Sequence, residues 1–140
     1  MVKVIAIIGG VVVLAVVIAV YYKLPKRLKV NYFQRKWIEL QKLCSNKDTW
    51  PQAIINADKL VDQALKRRHY SGKSPGERLV SAQRKLSNND GIWFGHKLRN
   101  KIDSQPKMKL REKDVKNALV GFRQALKDIG ALPSDKSKKP

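Results

Sequence analysis

The chain of 140 residues carries 30 lysines and arginines against 11 aspartates and glutamates, which gives a formal net charge of +19. So large a positive excess on so short a chain favours anionic partners, namely phospholipid head groups, nucleic acid or an acidic protein surface. The single cysteine, Cys44, excludes an intramolecular disulfide and a multi-cysteine metal site. Without the apolar segment described next, the chain has room for one small domain.

The first segment is an apolar run from Val4 to Tyr22, which contains no charge and no proline. As an α-helix it would be roughly 30 Å long, the thickness of the hydrocarbon core of a bilayer. A buried helix of a soluble protein is disfavoured because the run has no polar face. A cleaved signal peptide is disfavoured because the run is longer than the usual apolar region and no small-x-small cleavage site follows. Residues 4–22 are therefore predicted to form a transmembrane helix.

The charges that flank this helix predict its orientation. Only Lys3 lies on the N-terminal side, whereas four bases follow the closing tyrosines: Lys23, Lys26, Arg27 and Lys29. Positive charge accumulates on the cytoplasmic side of membrane helices. We therefore expect a plasma-membrane protein with residues 1–3 outside the cell and the C-terminal domain in the cytoplasm.

Residues 23–45 are predicted to form a basic amphipathic juxtamembrane helix, interrupted at the membrane exit by Leu24-Pro25. Its apolar residues recur every three or four positions: Val30, Phe33, Trp37, Leu40 and Cys44. The helix either lies on the membrane surface or is the first helix of the domain. The bases expected at the membrane surface are Lys23, Lys26, Arg27, Lys29, Arg35 and Lys36.

Residues 49–132 are predicted to form a helical bundle, and residues 133–140 a disordered basic tail. Two capping boxes with a proline in the first turn, Thr49–Gln52 and Ser74–Glu77, open two of its helices. A third helix starts near Asp90, and the last extends from about Arg111 to Ile129, with Gly130 as its left-handed cap. The fold class is all-α: a single N-terminal transmembrane helix followed by a small antiparallel helical bundle.

Four polar residues in the third bundle helix share one face, because they are spaced at i, i+3, i+4 and i+7: His96, Arg99, Asn100 and Asp103. A polar stripe between apolar neighbours either binds an anion or cross-links the bundle by hydrogen bonds. In the second case Arg99 would contact an acidic residue such as Asp58 or Asp62.

The stretch WFGHKLRNKIDSQ, with a following helix that ends in LKDIGAL, resembles the arginine–asparagine motif of HEPN-like helical domains. Members of that superfamily are all-α bundles, and many are ribonucleases or RNA-associated modules. The resemblance implies that Arg99 and Asn100 would act at the scissile phosphate. The family histidine follows four to six positions later, where this chain has Asp103, Ser104 and Gln105, so His96 is the candidate base. Residues 50–132 also resemble small membrane-anchored bundle proteins of reduced-genome bacteria.

Three hypotheses of function follow. The first is a membrane-tethered, non-catalytic cytoplasmic binding module with a strongly basic surface. The second is an HEPN-like ribonuclease or RNA-binding domain that uses Arg99 and His96. The third is a membrane-surface protein that binds anionic lipid. The sequence has no glycine-rich phosphate loop and no H-E-x-x-H motif, so neither a cofactor nor a metal is expected. An enzyme would need His96 and Arg99 exposed in one concave site, and a scaffold would need them buried and bonded.

Overall fold

A computed structural model describes residues 2–23 and 28–134 of the chain. Within these ranges the chain is helical and contains no strand, which confirms the all-α class. The helices are α1 (Val2–Lys23), α2 (Val30–Lys42), α3 (Trp50–Arg67), α4 (Pro75–Ala82), α5 (Asn89–Ser104) and α6 (Glu112–Asp128). Two short 3-10 turns, Leu43–Ser45 and Lys47–Thr49, connect α2 to α3. Most of the predicted tail, residues 135–140, lies outside the described residues.

Helix α1 contains the whole predicted apolar run. Its segment Lys3–Tyr21 has a mean hydropathy of 3.0 and is long and apolar enough to cross a membrane. Its large aliphatic side chains are exposed, from 45 % at Ile18 to 69 % at Ile5. A helix of a soluble domain would bury such a surface against its neighbours. Helix α1 is therefore a candidate membrane anchor.

Helix α2 is the first helix of the bundle, since Phe33, Trp37 and Leu40 are buried against the rest of the domain. It is shorter than the predicted helix over residues 23–45. The predicted break at Leu24-Pro25 lies outside the described residues. At the other end Cys44 belongs to a 3-10 turn, and its carbonyl accepts a hydrogen bond of 2.8 Å from Nε1 of Trp50.

Helix α3 lies at the centre of the bundle and packs against α2, α4, α5 and α6. Its periodic apolar stripe, which is the clearest in the sequence, is entirely buried: Trp50, Ala53, Ile54, Ala57, Leu60, Val61, Ala64 and Leu65. Because this stripe is wide, α3 can contact helices on several sides at once. The sequence pattern therefore identified the buried face of this helix correctly.

The two predicted capping boxes have different outcomes. Thr49 does not cap α3, because its hydroxyl donates to the carbonyls of Leu43 and Asn46 in the preceding turns, so this prediction is wrong. Ser74 does cap α4, since its Oγ accepts a hydrogen bond of 3.2 Å from the N–H of Glu77. The Glu77 carboxylate accepts from the N–H of Lys73, one residue earlier than the capping box predicts.

Helices α5 and α6 form an antiparallel hairpin with a very close crossing. The N–H of Ser87, just before α5, donates to Asp128 at the end of α6 over 2.8 Å. A Cβ atom added at Gly121 would lie 2.4 Å from the backbone carbonyl of Gly91, and one added at Gly95 would lie 2.8 Å from the ring of Phe122. The two backbones can approach this closely only because glycine occupies the crossing.

Helices α3 and α6 end in the same type of cap. The left-handed residue is His69 (φ 61°) after α3 and Gly130 (φ 81°) after α6, so the predicted Gly130 cap is confirmed. In both caps the next residue's N–H reaches back five positions, from Tyr70 to Leu65 and from Ala131 to Leu126. Nε of Arg68 donates to the carbonyl of Ile129 over 3.1 Å and so places a cation beside both C-terminal helix ends.

Candidate functional site

The polar face of α5 meets a buried carboxylate of α3. Nδ1 of His96 lies 2.9 Å from Oδ1 of Asp58, and the two residues are only 8 % and 4 % exposed. An ionised carboxylate can only accept hydrogen bonds, so Nδ1 carries the donated proton. The sequence places Asp58 next to the apolar stripe of α3, which explains why this side chain is buried.

Arg99 approaches the same carboxylate from the next turn of α5. Its Nε lies 3.8 Å from Oδ2 of Asp58 and 3.3 Å from Oδ2 of Asp103. The Nε atom is shielded from solvent and has no well-aligned acceptor among the residues that the structure describes. The Asp58 carboxylate therefore lies close to both His96 and Arg99 of α5. Asp103, whose side chain is half-exposed, contacts Arg99 at the edge of the cluster.

Asn100, the fourth residue of the predicted stripe, lies outside this cluster. It is exposed, and within the described residues its side chain forms no hydrogen bond. Of the four predicted residues, two meet at Asp58, namely His96 and Arg99, and Asp103 joins them only through its contact with Arg99. The arginine–asparagine pair of the proposed motif is thus divided between the bundle interior and the surface.

The imidazole of His96 is enclosed on its other sides as well. The ring of Trp93 packs edge-on against it, with the ring centroids 5.8 Å apart. A Cβ atom added at Gly76 would lie 3.7 Å from Nε2, so this nitrogen faces the first turn of α4. A general base must reach its substrate proton within about 3 Å. The arrangement connects α3, α4 and α5. Of the two alternatives for the polar stripe, anion binding and cross-linking of the bundle, it corresponds to the second.

A second buried ion pair was not identified from the sequence. Nε and Nη2 of Arg78 lie 2.6 and 2.9 Å from the two oxygens of Asp62, and Nη1 donates to the carbonyl of Gly72. The hydrogen bond to Asp62 raises the pKa of Arg78. Asp58 and Asp62 were alternative partners for Arg99; Arg99 lies beside Asp58, and Arg78 binds both oxygens of Asp62. The sequence feature that could have indicated this pair is the i, i+4 spacing of Asp58 and Asp62.

The bases predicted for the membrane surface are only partly described. Lys23 is the last residue of α1, whereas Lys26 and Arg27 lie outside the described residues. Lys29, Arg35 and Lys36 are exposed. Nζ of Lys36 lies 3.5 Å from the carboxylate of Glu39 on the next turn, a surface contact that contributes little stability.

No group of three or more histidine, cysteine, aspartate or glutamate side chains suited to a metal ion occurs in the described part of the chain. Comparisons with protein-family models, with curated proteins and with solved structures find no match to this chain. The resemblance to HEPN-like domains therefore rests on the residues of the sequence alone.

Proposed function

We propose that this protein is a membrane-tethered, non-catalytic binding module. In this proposal α1 anchors the chain in the plasma membrane, and the bundle presents a basic surface to an anionic partner at the cytoplasmic face. The observation that carries the proposal is the fully exposed apolar surface of α1. Exposing an apolar helix surface of this kind to water costs free energy, whereas placing it in a bilayer does not.

The charge of the chain supports the same proposal. A net charge of +19 repels further cations and attracts anionic surfaces. Each lysine or arginine close to an anionic leaflet contributes about 1 kcal/mol of attraction. The bases from Lys23, at the end of α1, to Lys36 in α2 would hold the start of the bundle at the membrane surface.

The second candidate is an HEPN-like ribonuclease or RNA-binding domain. It is supported by Arg99 and Asn100 in sequence, with His96 one turn before them on α5. The geometry weighs against catalysis, because His96 is only 8 % exposed and Arg99 is directed toward Asp58 inside the bundle. A ribonuclease would have to open this cluster before the imidazole could reach a ribose hydroxyl.

The two candidates can be separated with the full-length chain in zwitterionic nanodiscs. We would incubate it with a mixed RNA pool at moderate salt, beside the variants His96→Ala and Arg99→Ala, and measure cleavage by gel electrophoresis. We expect intact RNA in every sample and lower thermal stability of both variants. Cleavage by the parent that disappears in both variants would establish the ribonuclease and overturn the non-catalytic proposal.

Anchoring and orientation need their own measurement. We would replace the exposed residue Ser134 with cysteine in a Cys44→Ala background and treat intact cells with a membrane-impermeant maleimide. We expect labelling only after lysis and retention of the chain in membranes washed with alkaline carbonate. Labelling of intact cells would place the bundle outside, and release by carbonate would refute the anchor.

A further inference from the structure

A groove of about 750 Å³ lies between α2 and the C-terminal end of α6. Its apolar part comes from Trp37 and Ile38 on α2 and from Leu132 after α6. Three cationic side chains also line it: Arg35, Arg123 and Lys127. The groove does not include the cluster around Asp58. It combines an apolar wall with positive charge, which suits a ligand that has both an apolar and an anionic part.

Two arginines of the groove, Arg35 and Arg123, have no acidic partner within the part of the chain that the structure describes. None of the described residues that line it is acidic, and within the described residues neither Arg35 nor Arg123 forms an ion pair. The neighbouring carboxylates are engaged elsewhere, since Glu39 contacts Lys36 and Asp128 accepts hydrogen bonds from Ser87. Guanidinium groups bind phosphate oxygens strongly and with defined geometry, so a phosphate group complements this site.

Trp37 adds an independent observation. The residue is 6 % exposed, and its buried indole Nε1 has no hydrogen-bond acceptor among residues 2–23 and 28–134. Nε1 of Trp50, the neighbouring buried indole, donates to the carbonyl of Cys44. Buried N–H groups in proteins nearly always have an acceptor. Trp37, whose N–H lacks an acceptor, is also the tryptophan that lines the cationic groove.

The position of the groove along the chain selects among anionic ligands. Helix α2 starts at Val30, and only residues 24–29 separate it from the end of α1. The seven Cα–Cα steps from Lys23 to Val30 span at most about 25 Å, at about 3.3–3.6 Å each, so Arg35 on the second turn of α2 stays near the membrane surface. Residues 135–140, DKSKKP, are unsuited to the groove because they contain three lysines and one aspartate.

We propose that the α2–α6 groove binds the phosphate-bearing head group of an anionic phospholipid from the leaflet that α1 enters. This inference rests on the anchoring role proposed for α1. Arg35 and Arg123 contact the phosphate from opposite walls. Ile38, which is 52 % exposed, contacts the apolar part of the lipid next to the head group. Trp37 lines the groove, so its indole N–H resonance reports whether the head group is bound.

The test uses the indole N–H resonances of the full-length chain in bicelles of phosphatidylcholine. Phosphatidylglycerol replaces phosphatidylcholine in steps, and the resonance of Trp37 is assigned with the variant Trp37→Phe. We expect the Trp37 signal to shift and saturate, while the Trp50 signal stays in place because its N–H is already bonded. Replacement by further phosphatidylcholine should move neither signal.

Two arginine variants separate a defined site from diffuse attraction. Arg123→Gln removes a base of the groove, and Arg84→Gln removes an exposed base outside it, so both lower the net charge equally. We expect Arg123→Gln to need at least fivefold more phosphatidylglycerol for half-saturation and Arg84→Gln to remain within twofold of the parent. Unchanged Trp50 and Trp93 signals show that the fold of each variant is intact. Equal effects of the two variants would overturn the proposal.

Further outcomes would also overturn it. A fixed Trp37 signal at every lipid ratio would exclude the groove while leaving the anchor untouched. The same shift with inorganic phosphate alone would assign the groove to free phosphate. A shift with an RNA oligonucleotide at lower concentration would assign it to nucleic acid. A Trp37 signal that moves when residues 135–140 are removed, before any anionic lipid is added, would show that the tail occupies the groove. Failure of the anchor itself is detected separately, by release of the chain in carbonate.

Discussion

Asp58 is the central residue of the polar cluster between α3 and α5. It binds His96 at 2.9 Å and lies 3.8 Å from Arg99, so one carboxylate serves two groups of α5. Removing one partner of a buried charged pair leaves the other desolvated and without compensation, which costs more than the pair itself contributes. The cluster is therefore sensitive to the carboxylate of Asp58 and much less sensitive to the exposed members at its rim.

Asp58→Asn should lower the free energy of unfolding by about 2–3 kcal/mol, because Arg99 loses its buried counter-charge. The measurement is denaturant unfolding of the full-length chain in zwitterionic micelles, followed by near-ultraviolet circular dichroism. Asp103→Asn is the matched control, since the Asp103 side chain is 50 % exposed. It should cost less than about 1 kcal/mol. Equal losses in the two variants would contradict a central role of Asp58.

Cys44 provides a prediction about pH. Burial raises the pKa of its thiol, so the native protein keeps the proton to a higher pH than the unfolded chain. The stability associated with this group is thus complete below the pKa of the unfolded thiol and is lost as pH rises through the native pKa. At pH 8 iodoacetamide should alkylate the native protein severalfold more slowly than the urea-unfolded chain, as mass spectrometry would show. Equal rates would mean that the thiol is not protected.

The crossing of α5 and α6 fixes the distance between the two helices through contact of their backbones. Gly121→Ala should reduce stability by about 2 kcal/mol, because its Cβ would lie 2.4 Å from the backbone of Gly91, which can relax only if the helices separate. Gly76→Ala is the control, since its Cβ would meet only an ordinary contact at 3.7 Å. This variant should be neutral or more stable by up to about 1 kcal/mol, because alanine favours the helix. Thermal unfolding of both variants tests the difference.

The amphipathic helices were predictable because their signal is local. The stripe of α3 is spaced by the helical repeat, and every member of it is buried. Thr49 shows where this reasoning fails, since its hydroxyl bonds depend on the path of two preceding turns that bring the carbonyls of Leu43 and Asn46 to it. Capping rules that consider only nearby residue types take no account of how these preceding turns fold.

The partners of buried charges could be predicted only in part. The pairing of Arg99 with Asp58 was one of two expected alternatives, because the sequence shows which residues face inward and leaves open which of them meet. Arg78 binds Asp62 across 16 residues, at a position set by how α4 folds back on α3. The groove between α2 and α6 was not predicted either, since it joins residues from both ends of the bundle.

The bundle is expected to fold without α1. The apolar side chains of α1 are exposed, and the core is formed by residues from α2 onward. A chain that starts at Leu28 should therefore have the same free energy of unfolding as the full-length protein in micelles, within about 0.5 kcal/mol. Denaturant unfolding of both chains measures the difference. The shorter chain should also remain in the supernatant when vesicles of phosphatidylcholine alone are pelleted. A large loss of stability would show that α1 contributes to the core.

The short connection between α1 and α2 has a consequence for the affinity that the groove requires. A site held within about 25 Å of the bilayer surface meets lipid head groups at an effective concentration in the millimolar range or above. An intrinsic Kd of about 1 mM, equivalent to about 4 kcal/mol, would then suffice for substantial occupancy. Arg35, Arg123 and Trp37 are the groove residues that would provide this interaction. The same groove on a chain released from the membrane would be nearly empty, so the tether would determine whether the lipid is bound.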